Sequence, residues 1–433
     1  MTMKKVFGLA AALGLTTGLA ACGGEEAVSE DGSVTIEFMH SQVEQERLAV
    51  ITDLVEKFES EHPDIQVEQV PVEEDAYNTK VVTLASAGQL PEVLEVSQDF
   101  ARVMAKDQLI DQEAVAAAIE SVGADNFYDG ALRLISNETG DGYLGLPISG
   151  WVQGIWYDKE ALASKGFEEP ETWDEVLAVA EAFTNPAEDQ YGIALPTEES
   201  LFSEQAFSQF ALSNNANVLN AEGELTINTP EMEAALAYYQ ELSQYTMPGS
   251  NGVTEVNDAF MNNTAPMAIY STYILPGVFE QGNAENLGFA IPTNETSAVY
   301  GTVSALTITA GVEDAEREAA QEFVEFMAQP ENMTEWVLMS PGGAQPVSDL
   351  VTESEAYQSN EVINAFGDLS TEIASSFEEI QIFGLVDGQN FLKAGDISSS
   401  GAIPKMVNSV TVGEQSVEEA LAEAESAVKE VIQ

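Results

Sequence analysis

An alternation of strand and helix patterns over residues 34–96 limits the fold more than any other feature of the chain. The strand patterns cover 34–39, 65–70 and 91–96, and the helix patterns cover 46–62 and 77–87. A strand–helix–strand–helix–strand order requires a parallel sheet that is covered by helices. The chain is therefore predicted to be an α/β protein.

A second organising stretch, 150–183, joins an aromatic strand to a helix. Trp151 to Tyr157 has the pattern of a strand, and residues 158–164 read as a short helix. Thr172 precedes a longer helix, and Glu175 follows three residues later, which is the spacing of a capping box. A helix packed on a sheet, with the tryptophans in the core, explains this pattern as well as a binding surface does.

Residues 1–22 have the pattern of a secretory signal and are excluded from the fold. Lys4 and Lys5 precede a run of apolar and small residues that closes at Cys22. Residues 23–32 are small and polar, which is typical of a flexible tether. Cys22 is the only cysteine, so a disulfide within the monomer is excluded. An incidental cysteine in a signal peptide remains the alternative to a modified one.

The chain is extremely acidic: 74 Asp and Glu face 14 Lys and Arg, for a net charge of −60. Such a chain repels itself unless salt screens the charges. Because 45% of the residues are hydrophobic, it is not a disordered acidic chain. We interpret it as an exported protein adapted to high salt. A calcium-binding array is the alternative, without an Asp-x-Asp-x-Asp-Gly loop to support it. The charge excludes nucleic acid and anionic membrane surfaces as partners.

The sequence contains no catalytic motif that predicts an enzyme. Gly-x-Ser-x-Gly, His-Glu-x-x-His and the phosphate-loop motif are all absent. Acids are so frequent that no glycosidase pair of carboxylates can be singled out. An exported glycoside hydrolase stays open as an alternative. The prediction is a binding protein without a cofactor or a metal site.

Several motifs in order carry a resemblance to a known family. They are Tyr157-Asp158-Lys159, Pro170 to Glu175, Phe58 to Glu68, Ala87 to Val93, Pro330 to Trp336 and Gly342 to Val347. Together they resemble the extracellular solute-binding proteins of sugar-importing ABC transporters, the maltose-binding-protein-like group. Two positions depart from the family pattern: Asp158 replaces the usual Asn, and Glu92 replaces the usual Asp. The run Leu-Ala-Ala-Cys22 resembles a bacterial lipobox.

The resemblance implies two α/β lobes with a ligand cleft between them. Lobe 1 would take 33–146 with a return segment 300–335, and lobe 2 would take 147–299 with the C-terminal segment 336–433. It also implies capture of a neutral sugar or oligosaccharide and its delivery to the permease of an ABC importer. The receptor would be monomeric and exported, anchored by lipid at Cys22 to the outer face of the cytoplasmic membrane.

The predicted ligand site combines aromatic and polar side chains. Neutral sugars present apolar faces and hydroxyl rims, which such a mixture can bind. The predicted residues are Gln42, Asp99, Phe100, Trp151, Phe202, Tyr270, Ser271 and Tyr273. Gln42 is predicted because it follows the first strand, and the other seven are ligand contacts implied by the resemblance. For Trp151 and Tyr270, packing in the core is the alternative. Because Arg47 and Arg102 could bind an anion, a sugar acid, a polyol phosphate or another small solute stays open as the ligand. A sensor also stays open as the partner, in place of a transporter.

Overall fold

The computed structural model describes residues 33–432, except for 292, 387 and 388. The predicted signal peptide 1–22 and the tether 23–32, with Cys22, lie outside the described residues. The structure consists of one mixed sheet with helices on both of its faces. The predicted α/β class is therefore confirmed.

The sheet contains seven strands in the described part of the chain. They are β1 Val34–His40, β2 Ile65–Pro71, β3 Val93–Ser97, β4 Leu146–Asp158, β5 Met267–Ser271, β6 Leu287–Ala290 and β7 Tyr300–Ile308. Their order is β2-β1-β3-β7-β4-β5, and β6 also pairs with β4. β1 is parallel to both β2 and β3, as the strand–helix alternation predicts. β7 is antiparallel to β3 and β4 and joins the two halves of the sheet.

The long strand β4 runs through both halves of the sheet. Its first part pairs with β7, from Leu146 opposite Leu306 to Gln153 opposite Tyr300. Its second part pairs with β5 and β6. The register shifts beside Pro147, because proline has no N–H to donate to the ladder. The aromatic pattern predicted this strand only from Trp151, so the structure extends it by five residues at its start.

Helices cover the sheet on both faces. In the described residues they are α1 Gln45–Glu61, α2 Glu74–Ala87, α3 Gln98–Lys106, α4 Gln112–Val122, α5 Asp129–Ile135, α6 Lys159–Ser164, α7 Trp173–Phe183, α8 Leu201–Ser213, α9 Pro230–Leu242, α10 Val253–Met261, α11 Leu275–Glu280, α12 Asp314–Met327, α13 Pro330–Val337, α14 Asp349–Thr352, α15 Glu355–Gln358, α16 Glu361–Phe366, α17 Asp368–Ser375, α18 Phe391–Ser399, α19 Ala402–Thr411 and α20 Val417–Val431. None of these helices is both long and apolar enough to cross a membrane.

The buried side chains form two hydrophobic clusters. The first surrounds β1, β3 and β7 and continues along one face of β4 to Trp156. The second lies against the opposite face of β4, at Ile155 and Tyr157, and contains α7, α8, α9, α19 and α20. Adjacent β4 residues enter different clusters because successive side chains of a strand point to opposite faces. The division of the chain into residue ranges for two lobes stays a prediction.

The capping box at the start of α7 is confirmed. The Thr172 hydroxyl accepts from the Glu175 N–H at 3.3 Å, and the Glu175 carboxylate accepts from the Thr172 N–H at 3.0 Å. Two backbone donors at the helix start are thereby satisfied. Trp173, the first residue of α7, is buried in the second cluster, and its indole N–H donates to the Ser213 hydroxyl at 3.1 Å. This tryptophan is a core residue.

Residues 191–195 have the apolar pattern of a short strand, and the strand that this pattern predicts is wrong. Only Ala194 forms a bridge there, to Ala268. The Gly192 and Ala194 N–H groups instead donate to the carbonyls of Tyr245 and Met267. A Cβ on Gly192 would lie 1.9 Å from the Ala180 carbonyl oxygen, so the backbone packs directly against α7. Tertiary hydrogen bonds have replaced a strand ladder in this buried segment.

Candidate functional site

A cavity of about 530 Å³ lies between α3 on one side and α8 and α18 on the other. Its walls come from Asn78 in α2, from Ser97 to Lys106, from Leu201 to Ser208, from Tyr300 at the start of β7, and from Ile382 to Ser399. Its volume is typical of a small-molecule site. α3 packs on the first hydrophobic cluster and α8 belongs to the second, so the cavity separates the two.

The turn from β3 into α3 places two predicted site residues in this cavity. β3 ends at Ser97, whose hydroxyl caps α3 by accepting from the Phe100 N–H at 3.3 Å. Asp99 and Phe100 therefore lie beyond the carboxyl end of a parallel strand, where ligands bind in α/β sheets. The Asp99 side chain is accessible from the cavity, yet the surrounding protein desolvates it and raises its pKa, while Arg102 lowers it.

Glu204, in the first turn of α8, is the second carboxylate in the wall of the cavity. It is 7% exposed. Its pKa is raised to about 7, mainly by burial; the charge of Asp99 also raises it, and a hydrogen bond with the Ser398 hydroxyl lowers it. Its Oε2 atom is buried and has no hydrogen-bond partner among the described residues. A buried acceptor of this kind normally has a partner, so it is available to a ligand.

The Arg102 guanidinium, also in the cavity wall, is committed to the protein. It is buried and donates to the backbone carbonyl of Gln98 at 2.6 Å and to that of Leu134. Its flat face lies over the ring of Phe391. Burial lowers its pKa, and the nearby Asp99 raises it. These contacts hold α18 against α3 and use two of the five N–H donors of the guanidinium.

Aromatic rings supply the apolar part of the cavity. Phe100, Tyr300, Phe383 and Phe391 line it. Trp151, in β4, packs beside Tyr300 with the ring centroids 5.7 Å apart, and its side chain is half-buried. Trp151 itself is not among the lining residues of the cavity. Trp151, a predicted ligand-site residue, thus supports Tyr300 from the neighbouring strand.

A smaller cavity of about 190 Å³ adjoins the first, and Asn78 and Ser97 line both of them. The buried Glu95 carboxylate accepts from the Ser41 N–H at 3.0 Å and from the Gln42 amide at 3.0 Å. Burial raises the pKa of Glu95 in spite of these hydrogen bonds. Gln42, a predicted site residue, is therefore held beside this smaller cavity at the end of β1.

Tyr273 lies near the same end of the site. It is 48% exposed. Arg47 and Glu95 are within electrostatic reach of its hydroxyl. Arg47 is bound to its neighbours, since it donates to the Gln42 Oε1 atom at 2.8 Å and pairs with Glu44 at 3.7 Å. A Cβ on Gly343 would lie 2.7 Å from the Tyr273 ring, so this glycine lets the ring lie on the backbone.

The remaining predicted residues pack behind the cavities. Phe202 and Tyr270 form an edge-to-face pair with centroids 5.7 Å apart, and both are half-buried. Ser271 ends β5 opposite Gln153 of β4. The structure thus brings Asp99 and Phe100 together in the main cavity, whereas Gln42 and Tyr273 line neither cavity and lie near Glu95 in the wall of the smaller one. Phe202, Tyr270 and Ser271 line neither cavity.

Sequence reasoning missed Glu204, Tyr300 and Phe391. Glu204 carried a usable signal, because it is the one acid in a helix, α8, whose other residues are apolar, small or amide-bearing. An acid in such a buried helix needs a partner or a function. Tyr300 stands one residue before the run 301–308, which has the pattern of a strand, and Phe391 lies in a C-terminal region whose patterns indicate only helices. Neither of them carried a comparable signal.

Comparison with known proteins assigns this chain to a family. The model of the bacterial extracellular solute-binding proteins matches residues 43–334. The chain is also 53% identical over 401 residues to the putative ABC transporter periplasmic-binding protein YcjN of Escherichia coli, with 93% of each chain covered. The chain belongs to this family of solute-binding proteins. Family members are solute-binding proteins and not enzymes.

More distant proteins share the fold or the overall sequence. The sugar-binding protein MalE from Xanthomonas citri has a TM-score of 0.77 at 20% identity, with 92% of this chain and 97% of that chain covered. This likeness confirms the predicted two-lobed binding-protein fold. The sn-glycerol-3-phosphate-binding periplasmic protein UgpB of Escherichia coli is 24% identical over 386 residues, covering 83% of this chain and 84% of its own. One of these two proteins is thus named for a sugar and the other for a phosphate ester.

Proposed function

We propose that this solute-binding protein captures a neutral sugar or oligosaccharide outside the membrane and delivers it to the permease of an ABC importer. The observation that carries the proposal is the main cavity, in which carboxylates at Asp99 and Glu204 stand among the rings of Phe100, Tyr300 and Phe391. Rings can pack on the apolar faces of a sugar, and carboxylates accept from its hydroxyls. The structural likeness to a sugar-binding protein supports the same ligand class.

The location of the cavity suggests how capture is completed. It lies between helices of the two hydrophobic clusters, where β4 and β7 cross from one half of the sheet to the other. We assign residues 33–146 with 300–335 to one lobe and residues 147–299 with 336–433 to the other. Closure of the two around the ligand would use the hinge motion of two-domain binding proteins. The receptor acts as a monomer held to the outer face of the cytoplasmic membrane through lipid on Cys22.

A sugar acid or a polyol phosphate is the second candidate, favoured by the relative named for glycerol 3-phosphate. An anion requires free cationic donors, usually arginine. Arg102 donates to two backbone carbonyls, and Arg47 donates to Gln42 and pairs with Glu44. The charges of the cavity therefore favour a neutral ligand.

A thermal-shift screen of neutral mono-, di- and oligosaccharides in molar salt tests the proposal. A ligand at 100 times its Kd stabilises the folded state by about 2.7 kcal/mol. For about 400 folded residues this corresponds to a rise of about 3 °C in melting temperature. Isothermal titration of the best sugar should give one site per chain. If anionic solutes raise the melting temperature and no neutral sugar does, the assignment is wrong.

A further inference from the structure

Two carboxylates enter the main cavity from opposite walls. Asp99 lies in the first turn of α3, and Glu204 lies in the first turn of α8. Tyr300, at the start of the crossing strand β7, is within electrostatic reach of both. The two acids are 105 positions apart in sequence, so only the packing of α3 and α8 on the two clusters brings them to one site.

The Glu204 carboxylate has an acceptor that the protein leaves unused. One hydrogen bond comes from Ser398, but the buried Oε2 atom has no partner in the part of the chain that the structure describes. More than nine-tenths of this residue is buried, and it lines the cavity. In its ionised form this carboxylate only accepts hydrogen bonds, so the missing partner of that form must be a donor.

The protein offsets the charge of the pair only in part, through the Arg102 charge that acts on Asp99. Asp99 and Glu204 are absent from the ion pairs that join described residues. A third acid, Asp396, also lines the cavity, and the two cations in its wall are Arg102, which donates to the carbonyls of Gln98 and Leu134, and Lys106, which is exposed. A ligand between α3 and α8 therefore meets an excess of negative charge. An added anion would be repelled, because like charges juxtaposed at a binding site disfavour binding.

We propose that Asp99 and Glu204 select the ligand by charge, so that the cavity prefers a sugar bearing an ammonium group, accepts a neutral sugar and rejects a sugar acid or phosphate. The inference rests on the proposed sugar-binding function and adds to it a ranking within the sugars. An ammonium group supplies donors and the opposite charge, and a hydroxyl supplies donors alone. A carboxylate or phosphate supplies neither. The pair is thus a specificity filter built from both walls of the cavity.

The test compares probes of matched size on matched variants. Glucosamine, glucose, glucuronate and sn-glycerol 3-phosphate are titrated in molar salt at pH 7.5, where Glu204 is mainly ionised, into the wild type, Glu204→Gln and Asp99→Asn. Both substitutions keep the shape of the side chain and remove its charge. Glu181→Gln, at an exposed glutamate of α7, makes the same change in net charge away from the cavity. Circular dichroism and the ligand-free melting temperature confirm that each variant is folded.

In the wild type, glucosamine should bind at least as tightly as glucose, and glucuronate at least about tenfold more weakly, which is about 1.4 kcal/mol. In Glu204→Gln and Asp99→Asn the Kd for glucuronate divided by the Kd for glucose should fall toward one. In Glu181→Gln this ratio should remain at its wild-type value. Equal binding of glucose and glucuronate by the wild type, or an unchanged ratio in both cavity variants, would overturn the charge filter while sugar binding stands.

Two other outcomes separate the filter from the proposed function. If glucuronate or glycerol phosphate binds and the neutral and amino sugars do not, both proposals are wrong. If none of the four probes binds, the charge filter is overturned, because it requires glucosamine or glucose to bind. The wider screen of neutral sugars then decides the proposed function by itself.

Discussion

Replacing Glu204 by Gln should stabilise the ligand-free protein at neutral pH and leave its stability almost unchanged near pH 4.5. Burial raises the pKa of Glu204 from 4.5 to about 7. The folded state therefore holds the proton more tightly than the unfolded chain does. Between pH 4.5 and 7 the unfolded state binds fewer protons, so stability falls as the pH rises. Glutamine resembles the protonated form and removes this dependence.

The size of the effect follows from the pKa difference. One pKa unit corresponds to about 1.4 kcal/mol, so the buried charge costs about 3 kcal/mol above pH 7. The side chain is 7% exposed, so solvent screens little of this cost. With an unfolding entropy of about 2.1 cal/mol/K per residue over about 400 folded residues, the corresponding change in melting temperature is about 4 °C.

The assay is scanning calorimetry of the wild type, Glu204→Gln and Glu181→Gln from pH 4.5 to 8 in molar salt. The melting temperature of Glu204→Gln minus that of the wild type should grow by about 4 °C across this range. A constant offset from the lost or gained hydrogen bonds does not matter, because only the change with pH is read. Glu181→Gln should track the wild type. Parallel curves for Glu204→Gln and the wild type would show that Glu204 is not a desolvated acid.

Three further outcomes are expected. Cys22→Ala should release the protein from the membrane fraction, and mass spectrometry of the wild type should find acyl groups on Cys22. A variant that stays with the membranes, together with an unmodified Cys22 in the wild type, would refute the lipid anchor. The melting temperature should rise from dilute buffer to molar salt, because screening weakens self-repulsion in a chain of net charge −60; a flat or falling curve would argue for specific cation sites instead. Trp151→Ala should weaken binding of the best sugar by about tenfold, because Trp151 supports Tyr300 in the cavity wall. It should cost less stability than Trp156→Ala, which should lower the free energy of unfolding by about 3 kcal/mol or more because Trp156 is a core residue. A large loss of ligand-free stability with intact affinity would make Trp151 a core residue too.

The sequence by itself determined the local elements of this protein. Apolar periodicity over 34–96 predicted the parallel strands β1, β2 and β3 with α1 and α2 between them, and the structure contains them. The Thr172–Glu175 spacing predicted the start of α7, because a capping box needs only residues within one turn. Ordered motifs carried the family resemblance, which the family model confirmed. Asp99 and Phe100 were implied by the resemblance, and they directly follow β3, whose carboxyl end is where ligands bind in α/β sheets.

Only the tertiary structure decided which residues share the cavity. Asp99, Glu204, Tyr300 and Phe391 come from α3, α8, β7 and α18, and no local pattern relates positions so far apart. The partners of Arg102 were equally hidden, since its cationic side chain suggested an anion site while the fold commits it to the carbonyls of Gln98 and Leu134. The roles of Trp151 and Tyr270 also depended on packing, because an aromatic side chain at a strand end suits a ligand and a core equally well. Periodicity reports which face of an element is buried, and the long-range packing of these elements determines what that face meets.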